Sequence, residues 1–396
     1  DDLVVNFSAT ETFISDKRPF FTENQGIFEY TTPSDFSQLL YTRRIGGPAD
    51  DGGGASDIAA AVKLNGNLGA LKYGVFSADE ADSAGRSFHA LRLVRDFQTQ
   101  NLGMMLTRVD RPFLDREATV LGVDHNWRPT PRWNVRSRVF GSRIDDGGVR
   151  SDDLGATLWA DYEMDHGWRQ QWIAMHFGDE LEINDAGYLA RNNLNYLHWQ
   201  ASRRFTDKAE DSRYSSTDWR WRVSSTYNNH GQKLNDQFRM SREGGLRNGA
   251  EDYAQINVNS AGISDNLLRG HGIVRLPANF NAFYEFERPR KGRWAHNVEA
   301  ELFGGGLAGN HKLGGALWYG ATYFVNDAFS LNAGASMLLR PDWLVWQGPA
   351  TGDLVGAFDG KEAKLLAGLD WSIDARQELR VKLQAIGIDA RVRNAW

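Results

Sequence analysis

Apolar and polar residues alternate with a period of two along most of this chain. Between residues 154 and 164, for example, Leu154, Leu158 and Tyr162 alternate with polar residues such as Thr157 and Asp161. Successive side chains of a β-strand point to opposite faces, so each such run has one apolar face and one polar face. The pattern recurs early and late in the sequence, which predicts an all-β protein.

The apolar positions of these runs are often small, as at Ala156, Ala300 and Ala367, and Trp or Tyr residues stand near the ends of the runs. Lipid accepts small side chains on a strand, and transmembrane barrels place aromatic residues at both membrane interfaces. The 14 Trp residues of the chain suit such interfaces. We therefore predict a transmembrane antiparallel β-barrel of about 16 strands in the outer membrane of a Gram-negative bacterium. A soluble β-protein is the alternative.

Composition excludes several other classes of protein. No segment approaches the length of about 18 apolar residues that a transmembrane helix needs. The absence of cysteine excludes disulfides and thiolate metal sites, and it suits export through an oxidising compartment. The net charge of -6 argues against a nucleic-acid partner. Of the 45 basic residues 35 are Arg, a residue preferred where charges are confined and paired, which favours an enclosed polar interior.

The predicted strands are joined by connections of alternating length. Acidic, glycine-rich segments at residues 48–57, 77–87 and 145–153 are predicted to be long loops. Tight turns are predicted near residues 65–69, 97–100, 128–132 and 165–168. Outer-membrane barrels have short periplasmic turns and longer outer loops, so we expect all the long loops to lie at one end of the barrel.

Residues 13–47 interrupt the alternation and contain clustered aromatic residues. A barrel of about sixteen strands leaves an aqueous channel unless something fills it. We therefore predict that this segment folds inward as a plug. The chain is then one continuous domain, with an amino-terminal strand and plug in residues 1–47 and the barrel in residues 48–396.

Two motifs in this segment, Lys17-Arg18-Pro19-Phe20-Phe21-Thr22-Glu23 and Tyr41-Thr42-Arg43-Arg44-Ile45-Gly46, carry a resemblance that covers about 35 residues. They are similar to sequences in an uncharacterised bacterial family of outer-membrane β-barrels. Members of that family usually carry an amino-terminal carbohydrate-binding domain of the family-nine type. The resemblance implies an outer-membrane location and a carbohydrate-derived solute. The sandwich domain is missing here, and residues 390–396 are more basic than a usual closing strand, so we expect a chain trimmed at both ends.

Two pairs of basic residues in the predicted plug, Lys17 with Arg18 and Arg43 with Arg44, are candidates for binding an anionic ligand. Guanidinium groups bind carboxylate and phosphate through two parallel hydrogen bonds. The alternative, which we favour, is that these residues pair with Glu23, with Glu29 or with acids of the lumen wall. An inward segment must satisfy its polar groups within the barrel, and such pairs would hold it in place.

Charged residues also recur two positions apart on the polar face of several predicted strands. Such rows could create a transverse field that selects solutes by charge, as charged rings do in pores. Equally, they could form structural salt bridges across a water-filled lumen. The rows comprise Arg136, Arg138, Asp161, Glu163, Arg220, Arg222, Glu299 and Glu301.

The sequence contains no cofactor motif and no metal motif. The acidic residues at Asp50, Asp51, Asp145 and Asp146 lack the spacing of a helix-loop-helix calcium site. We expect solvated loop tips there, with loosely held divalent cations that bridge lipopolysaccharide at most.

Passage of a polar solute, or binding for passage, is therefore the function that the sequence predicts. One alternative is a non-conducting scaffold barrel that docks a protein partner or displays a binding domain. A second is a barrel-embedded hydrolase, whose Ser–His–acid set would draw on His125, His176 or His198 from distant strands. The partners expected are outer-membrane lipid, lipopolysaccharide and a polar small molecule or glycan.

Overall fold

The computed structural model describes residues 10–34, 37–81, 84–305, 312–348, 352 and 354–395. Residues 1–9, 35 and 36 of the predicted plug lie outside this range. Most of the described chain is strand: β1 (Ile58–Leu68), β2 (Leu71–Glu80), β3 (Ser87–Asp96), β4 (Gln100–Arg111), β5 (Arg116–Trp127), β6 (Trp133–Asp146), β7 (Val149–Glu163), β8 (Trp168–Phe177), β9 (Leu194–Phe205), β10 (Tyr214–Tyr227), β11 (Lys233–Leu246), β12 (Glu251–Asn259), β13 (Gly262–Ser264), β14 (Val274–Leu276), β15 (Asn279–Lys291), β16 (Trp294–Gly305), β17 (Lys312–Phe324), β18 (Phe329–Trp346), β19 (Val355–Ser372) and β20 (Glu378–Ala395).

The helical segments are short. They are α1 (Pro19–Thr22) and 3-10 turns at Gln25–Phe28, Thr42–Arg44, Pro112–Leu114 and Asp165–Gly167. No helix in the described part of the chain is long and apolar enough to cross a membrane.

Eighteen of these strands form a single antiparallel sheet, which confirms the predicted fold class and exceeds the expected count of about sixteen. Each interior strand pairs with its neighbours in sequence, and β15 follows β12 in the ladder. The small hairpin of β13 and β14 lies outside this sheet. The alternation is least regular between residues 203 and 275, where the sequence did not allow every strand to be placed and where the sheet contains β10, β11 and β12.

The strands β1 and β20 are the two edges of the ladder, because within the described residues no pairing joins one to the other. Both termini of the sheet lie at the same end of the molecule, so β1 and β20 run antiparallel to each other. Antiparallel edges are what direct closure of a barrel with an even number of strands requires.

The two ends of the sheet differ in their connections. The tight turns predicted near residues 65–69, 97–100, 128–132 and 165–168 are confirmed, and all four lie at the same end, called the turn end below. At the opposite end, the loop end, the longest connections between sheet strands are residues 178–193 and 260–278. The sequence did not predict either of these long connections.

The long loop predicted at residues 145–153 is wrong. There β6 and β7 continue to a two-residue turn at Gly147 and Gly148, whose φ angles of 58° and 81° suit the twist of a hairpin. Ion pairs of Asp152 with Arg143 at 2.8 Å and with Arg150 at 2.5 Å stabilise the extended hairpin. The acidic and glycine-rich composition therefore marked a turn.

Contacts between distant connections show that the sheet curves around an interior. Arg191, after β8, forms an ion pair of 2.8 Å with Asp265, after β12. Arg269 from the same connection lies over the ring of Trp346 on β18, 5.7 Å from its centroid. Segments that follow β8 and β12 thus meet each other and reach the loop end of β18.

The convex face carries the apolar residues of each strand. On β7 these are Leu154 and Leu158, which are 50% and 45% exposed, and similar exposure recurs at Leu317 and Leu365. An apolar band of this extent on every side of a sheet requires lipid around it. The chain is therefore a membrane-spanning β-barrel of the outer-membrane type, which places it in the outer membrane of a Gram-negative bacterium.

An aromatic belt surrounds the same face at the turn end. Trp133 stacks on Tyr162 with ring centroids 4.6 Å apart, and Trp294 lies 4.8 Å from Tyr323. Amphipathic rings of this kind prefer the level of the lipid headgroups. The belt confirms the prediction that aromatic residues near strand ends face lipid.

We expect replacement of Leu158 by Arg to destabilise the barrel by about 2–4 kcal/mol, because Leu158 lies near the middle of the apolar band. The matched control is Leu154→Arg, four residues nearer the loop end on the same strand and face, where the cost falls to about 0–1 kcal/mol. Urea titration of folding into lipid vesicles measures both variants. Equal costs at the two positions would contradict the assignment of this face to lipid.

Candidate functional site: the plug and the lumen beneath it

Residues 10–34 and 37–57 and the connection 178–193 fill the loop end of the lumen and are together called the plug. Phe28 and Tyr30 of the plug pack against Phe76 and Phe140 of the wall, with ring centroids 6.3 Å and 6.2 Å apart. The Tyr30 hydroxyl donates to a wall carbonyl, that of Val123, at 3.0 Å. This core inside the barrel confirms the predicted inward segment.

The wall makes room for the plug at a glycine. A Cβ atom at Gly122 on β5 would lie 2.8 Å from side-chain atoms of Tyr30 and Leu39. Any larger residue at Gly122 would therefore displace the plug from the wall. This contact explains why a residue without a side chain stands at this position of the inner face.

Buried ion pairs join the plug to the wall. The carboxylate of Asp185 accepts from Arg111 at 2.8 Å and from Arg116 at 2.7 Å. Asp50 pairs with the same Arg111 at 2.6 Å. The side chains of both acids are only 3% exposed, so Asp50 is not the solvated loop residue that the sequence suggested.

Among the plug residues singled out from the sequence, Arg18 and Arg44 hold the plug together. Arg18 forms an ion pair of 2.6 Å with Asp16 and donates to the carbonyls of Thr42 and Ile45, each at 2.8 Å. Arg44 forms an ion pair of 2.7 Å with Glu11. These contacts are of the structural kind that we favoured for the two basic pairs.

The remaining three predicted plug residues make fewer contacts with the barrel. Lys17 and Glu23 are exposed, and the main-chain carbonyl of Glu23 accepts a hydrogen bond from Lys63 on β1. Arg43 is half-buried and forms no ion pair or hydrogen bond through its side chain with the part of the chain that the structure describes.

The charged rows predicted from the sequence all lie on the inner face of the sheet. Arg136 on β6 pairs with Asp161 on β7, and its guanidinium lies 3.8 Å from the ring centroid of Trp159. On β7, Glu163 lies 3.6 Å from Arg169. The residues Arg138, Arg220, Arg222, Glu299 and Glu301 occupy the same face of β6, β10 and β16.

Their partners differ along the wall. Arg220 forms an ion pair of 2.7 Å with Glu243, and Arg222 donates to the amide oxygen of Gln237 at 2.8 Å. Glu301 accepts from Asn281, whereas Glu299 lies directly opposite Glu285 in the β15–β16 ladder. Neither Glu299 nor Glu301 forms an ion pair within the described ranges, although like charges placed opposite each other destabilise a sheet.

At the turn end, Arg136, Asp161, Glu163 and Arg220 of these rows line two adjoining cavities of about 680 and 670 Å³, called the turn-end chamber here. Both share Arg128, Pro131 and Asn134. Further lining comes from Arg136 in one cavity and from Asp161 and Glu163 in the other, with amides at Gln100, Asn101, Asn126, Gln170, Gln171 and Gln200. Amide groups both donate and accept hydrogen bonds, so this chamber suits a polar, hydroxyl-bearing solute.

Sequence reasoning missed most of this chamber. The amides of Asn101, Asn126, Gln171 and Gln200 lie at inner-face positions of their strands, beside the predicted charges, so the period-two pattern alone could have identified them. Gln100 and Gln170 lie at outer-face positions near the turn-end rim, where that pattern does not point to the chamber. Arg128 lies in a tight turn, where no alternation indicates which way a side chain points. Arg128 lines both cavities because they adjoin at the turn between β5 and β6.

The three histidines considered for a hydrolase are not arranged for catalysis. His198 is buried on the inner face and bonds to the Tyr196 hydroxyl and to Gln171. His125 and His176 bond to amide oxygens. None of the three hydrogen-bonds to a serine or a carboxylate in the described ranges, and no group of three metal-ligating side chains there could hold a metal ion.

No protein-family model matches the sequence, and no curated protein matches it either. Among solved structures, it is similar to the siderophore receptor PirA from Pseudomonas aeruginosa, with a TM-score of 0.46 and 10% identity over 81% of this chain and 72% of that one. It is also similar to the unliganded ferric citrate transporter FecA, with a TM-score of 0.42 and 7% identity over 84% of this chain and 57% of that one. An anion-selective porin from Comamonas acidovorans aligns with a TM-score of 0.31 and 10% identity over 72% of this chain and 89% of that one. At such scores the solutes of these proteins do not transfer to this chain.

We expect Asp185→Asn to release the plug, because it removes the buried carboxylate that Arg111 and Arg116 share and leaves them only Asp50 and the exposed Asp146, at a cost of about 3–5 kcal/mol. Trypsin, which cleaves after Lys17 and Arg43 in the plug, should then cut at least a hundredfold faster. The control is Asp152→Asn at the exposed hairpin, where loss of an ion pair costs about 0–1 kcal/mol. Unchanged cleavage in Asp185→Asn would show that the pairs do not anchor the plug.

Docking of the plug should also depend on pH. Burial alone would raise the pKa of Asp16, but hydrogen bonds from Arg18 and Thr42 lower it from 3.8 to about 2. Burial alone would also raise the pKa of Asp185, but hydrogen bonds from Arg116 and Arg111 lower it below its ordinary value. A lowered folded-state pKa stabilises the docked plug above about pH 4, and that stabilisation is lost as the pH falls through about 2.

A spin label on Thr22→Cys in α1 measures this transition, since the chain has no other cysteine. We expect the label to become mobile between about pH 4 and 2, while a control label on Ala70→Cys in the first turn keeps its mobility. A transition at or above pH 5 would be inconsistent with carboxylates of lowered pKa.

Proposed function

We propose that this barrel admits a polar solute through the turn-end chamber and passes it along the lumen beside the plug. The observation that carries the proposal is the unequal filling of the inner face. On β2, β4 and β8, the inner residues Phe76, Met105 and Phe177 are at most 2% exposed, because the plug covers them. On β16, β17 and β19, the inner residues Glu299, Trp318 and Lys364 remain partly exposed. A polar path therefore remains along one side of the lumen.

The chemistry of the chamber supports a solute rich in hydroxyl groups. Its lining combines amides with the carboxylate of Asp161 and with the guanidinium of Arg136, which lies over the ring of Trp159. The resemblance of residues 17–46 to a barrel family associated with carbohydrate-binding domains makes a carbohydrate-derived solute part of the proposal, together with membership of that family.

A scaffold role is the second candidate, and one observation favours it. The plug is held by an apolar core and by the Asp185 ion pairs, as a permanently closed barrel would require. Such a barrel would serve to dock a protein partner.

Single-channel recording with a locked plug separates these candidates. Gln38 and Tyr188 exchange two backbone hydrogen bonds, of 2.9 Å and 2.8 Å, an arrangement whose Cα spacing suits a disulfide. In the variant Gln38→Cys/Tyr188→Cys, oxidation ties residue 38 to a connection anchored by both β8 and β9. We expect the oxidised form to conduct in a planar bilayer as well as the reduced form does, because the path runs beside the plug.

Conductance that appears only after reduction would overturn the path beside the plug. Silence of both forms, with the wild-type chain silent too, would overturn passage and leave the scaffold role. The single variant Gln38→Cys, which cannot form the disulfide, is the matched control for the effect of the reductant.

A further inference from the structure

One arginine of the inner wall has no hydrogen-bond or ion-pair partner among the described residues. Arg138 lies on β6, between Asp124 of β5 and Thr157 of β7 in the ladder. Its guanidinium forms no hydrogen bond or ion pair with any described residue, and its Nε atom is buried without an acceptor. A cation that is partly withdrawn from water and left unpaired is costly, so its retention calls for an anionic counterpart.

The neighbouring carboxylates are already engaged. Asp124 binds Arg92 through both oxygens, with one contact at 3.0 Å, and that pair lies over Gly103, where a Cβ would clash with it. Asp161 is bound by Arg136. Three guanidinium groups therefore share two carboxylates in this part of the wall, and the excess positive charge lies at Arg138.

A second polar group at the same place is also unsatisfied. Thr157 is directly opposite Arg138 in the β6–β7 ladder and is only 4% exposed. Its hydroxyl has no hydrogen-bond partner among the residues described. Opposed side chains on one face of a sheet lie about 5 Å apart, so one bound group can contact both.

The position of this pair relates it to the turn-end chamber. Arg136, which lines the chamber, precedes Arg138 by two residues on the same face of β6. On the other side the Tyr30 ring of the plug lies 5.9 Å from the Arg138 guanidinium. A solute that enters the chamber from the turn end would thus meet Arg138 and Thr157 at the inner limit of the chamber.

We propose that Arg138 and Thr157 bind an anionic group, a carboxylate, phosphate or sulfate, carried by the solute. The guanidinium donates two parallel hydrogen bonds to two oxygens of the anion, and the Thr157 hydroxyl donates a third. This inference rests on the proposed function, because it takes the anionic group to belong to the solute that the barrel transports. It narrows the class of that solute to anionic molecules.

Titration calorimetry of the purified full chain in detergent, with inorganic phosphate as the probe, tests the site directly. We expect Arg138→Gln to weaken phosphate binding at least tenfold, because the charge is lost and a polar side chain remains. Arg138→Lys should give an intermediate loss, since it keeps the charge without the planar fork. Thr157→Val, which removes only the hydroxyl, should weaken binding severalfold.

The matched control is Arg380→Gln on the inner face of β20. Arg380 is already neutralised by Glu378 at 2.7 Å and Asp370 at 3.7 Å, so its replacement should change phosphate affinity less than twofold. Equal losses in Arg138→Gln and Arg380→Gln would mean diffuse attraction by lumen charge and would overturn the site. Failure of the wild-type chain to bind phosphate would overturn it as well.

The phosphate-binding measurement tests the anion site independently of the conductance measurement that tests passage. Phosphate binding that depends on Arg138 in a barrel that stays silent in a bilayer would retain the anion site and overturn passage. A conducting barrel whose phosphate affinity is the same in wild type and Arg138→Gln would retain passage and overturn the site. The urea midpoint of each variant shows whether the barrel has folded, and Thr157→Val provides the test if Arg138→Gln does not fold.

Discussion

A strand that crosses lipid must pair its backbone N–H and C=O groups with other strands, because the bilayer core offers no water to satisfy them. The rest of this structure depends on that constraint. It forces a continuous antiparallel ladder, and the ladder fixes which side chains face lipid and which face the lumen. On β7, Leu154 and Leu158 then face outward, and Thr157 and Asp161 face inward. Charged side chains must therefore be accommodated on the inner face, because the lipid-facing part of the outer face cannot solvate them.

On one side of the lumen, the plug covers the inner face of the wall. Its aromatic side chains cover the apolar inner residues of β2–β8, and its Asp50 and Asp185 form ion pairs with arginines of the wall. Because Arg111 and Arg116 come from the wall and Asp185 from a connection anchored to it at both ends, the amino-terminal segment docks onto a largely prepared surface. Arg18 then acts within that segment, tying Asp16, Thr42 and Ile45 into one unit.

The fold class, the inward segment and the inner-face location of the charged rows could be predicted from the sequence, because each depends on a period of two that any single strand displays. The count of 18 strands could not, since the alternation blurs where β10–β12 lie. The acidic segment 145–153 was misassigned because Gly147-Gly148 marks both a loop and a turn, and only pairing with Arg143 decides between them. The anchoring pair of Asp185 with Arg111 joins residues 74 positions apart, which no local pattern encodes.

The charges of the lumen are also unequally distributed around the ring. Arg136 and Arg138 lie on the sixth strand of the ladder, whereas Glu299 and Glu301 lie on β16, the fourteenth, nearly half a turn away. The arginines border the plugged side, and the unpaired acids line the side that remains open. An anionic group would therefore be attracted to the wall beside the plug and repelled from the opposite one. The two rows together would orient a charged solute across the lumen, which neither row could do alone.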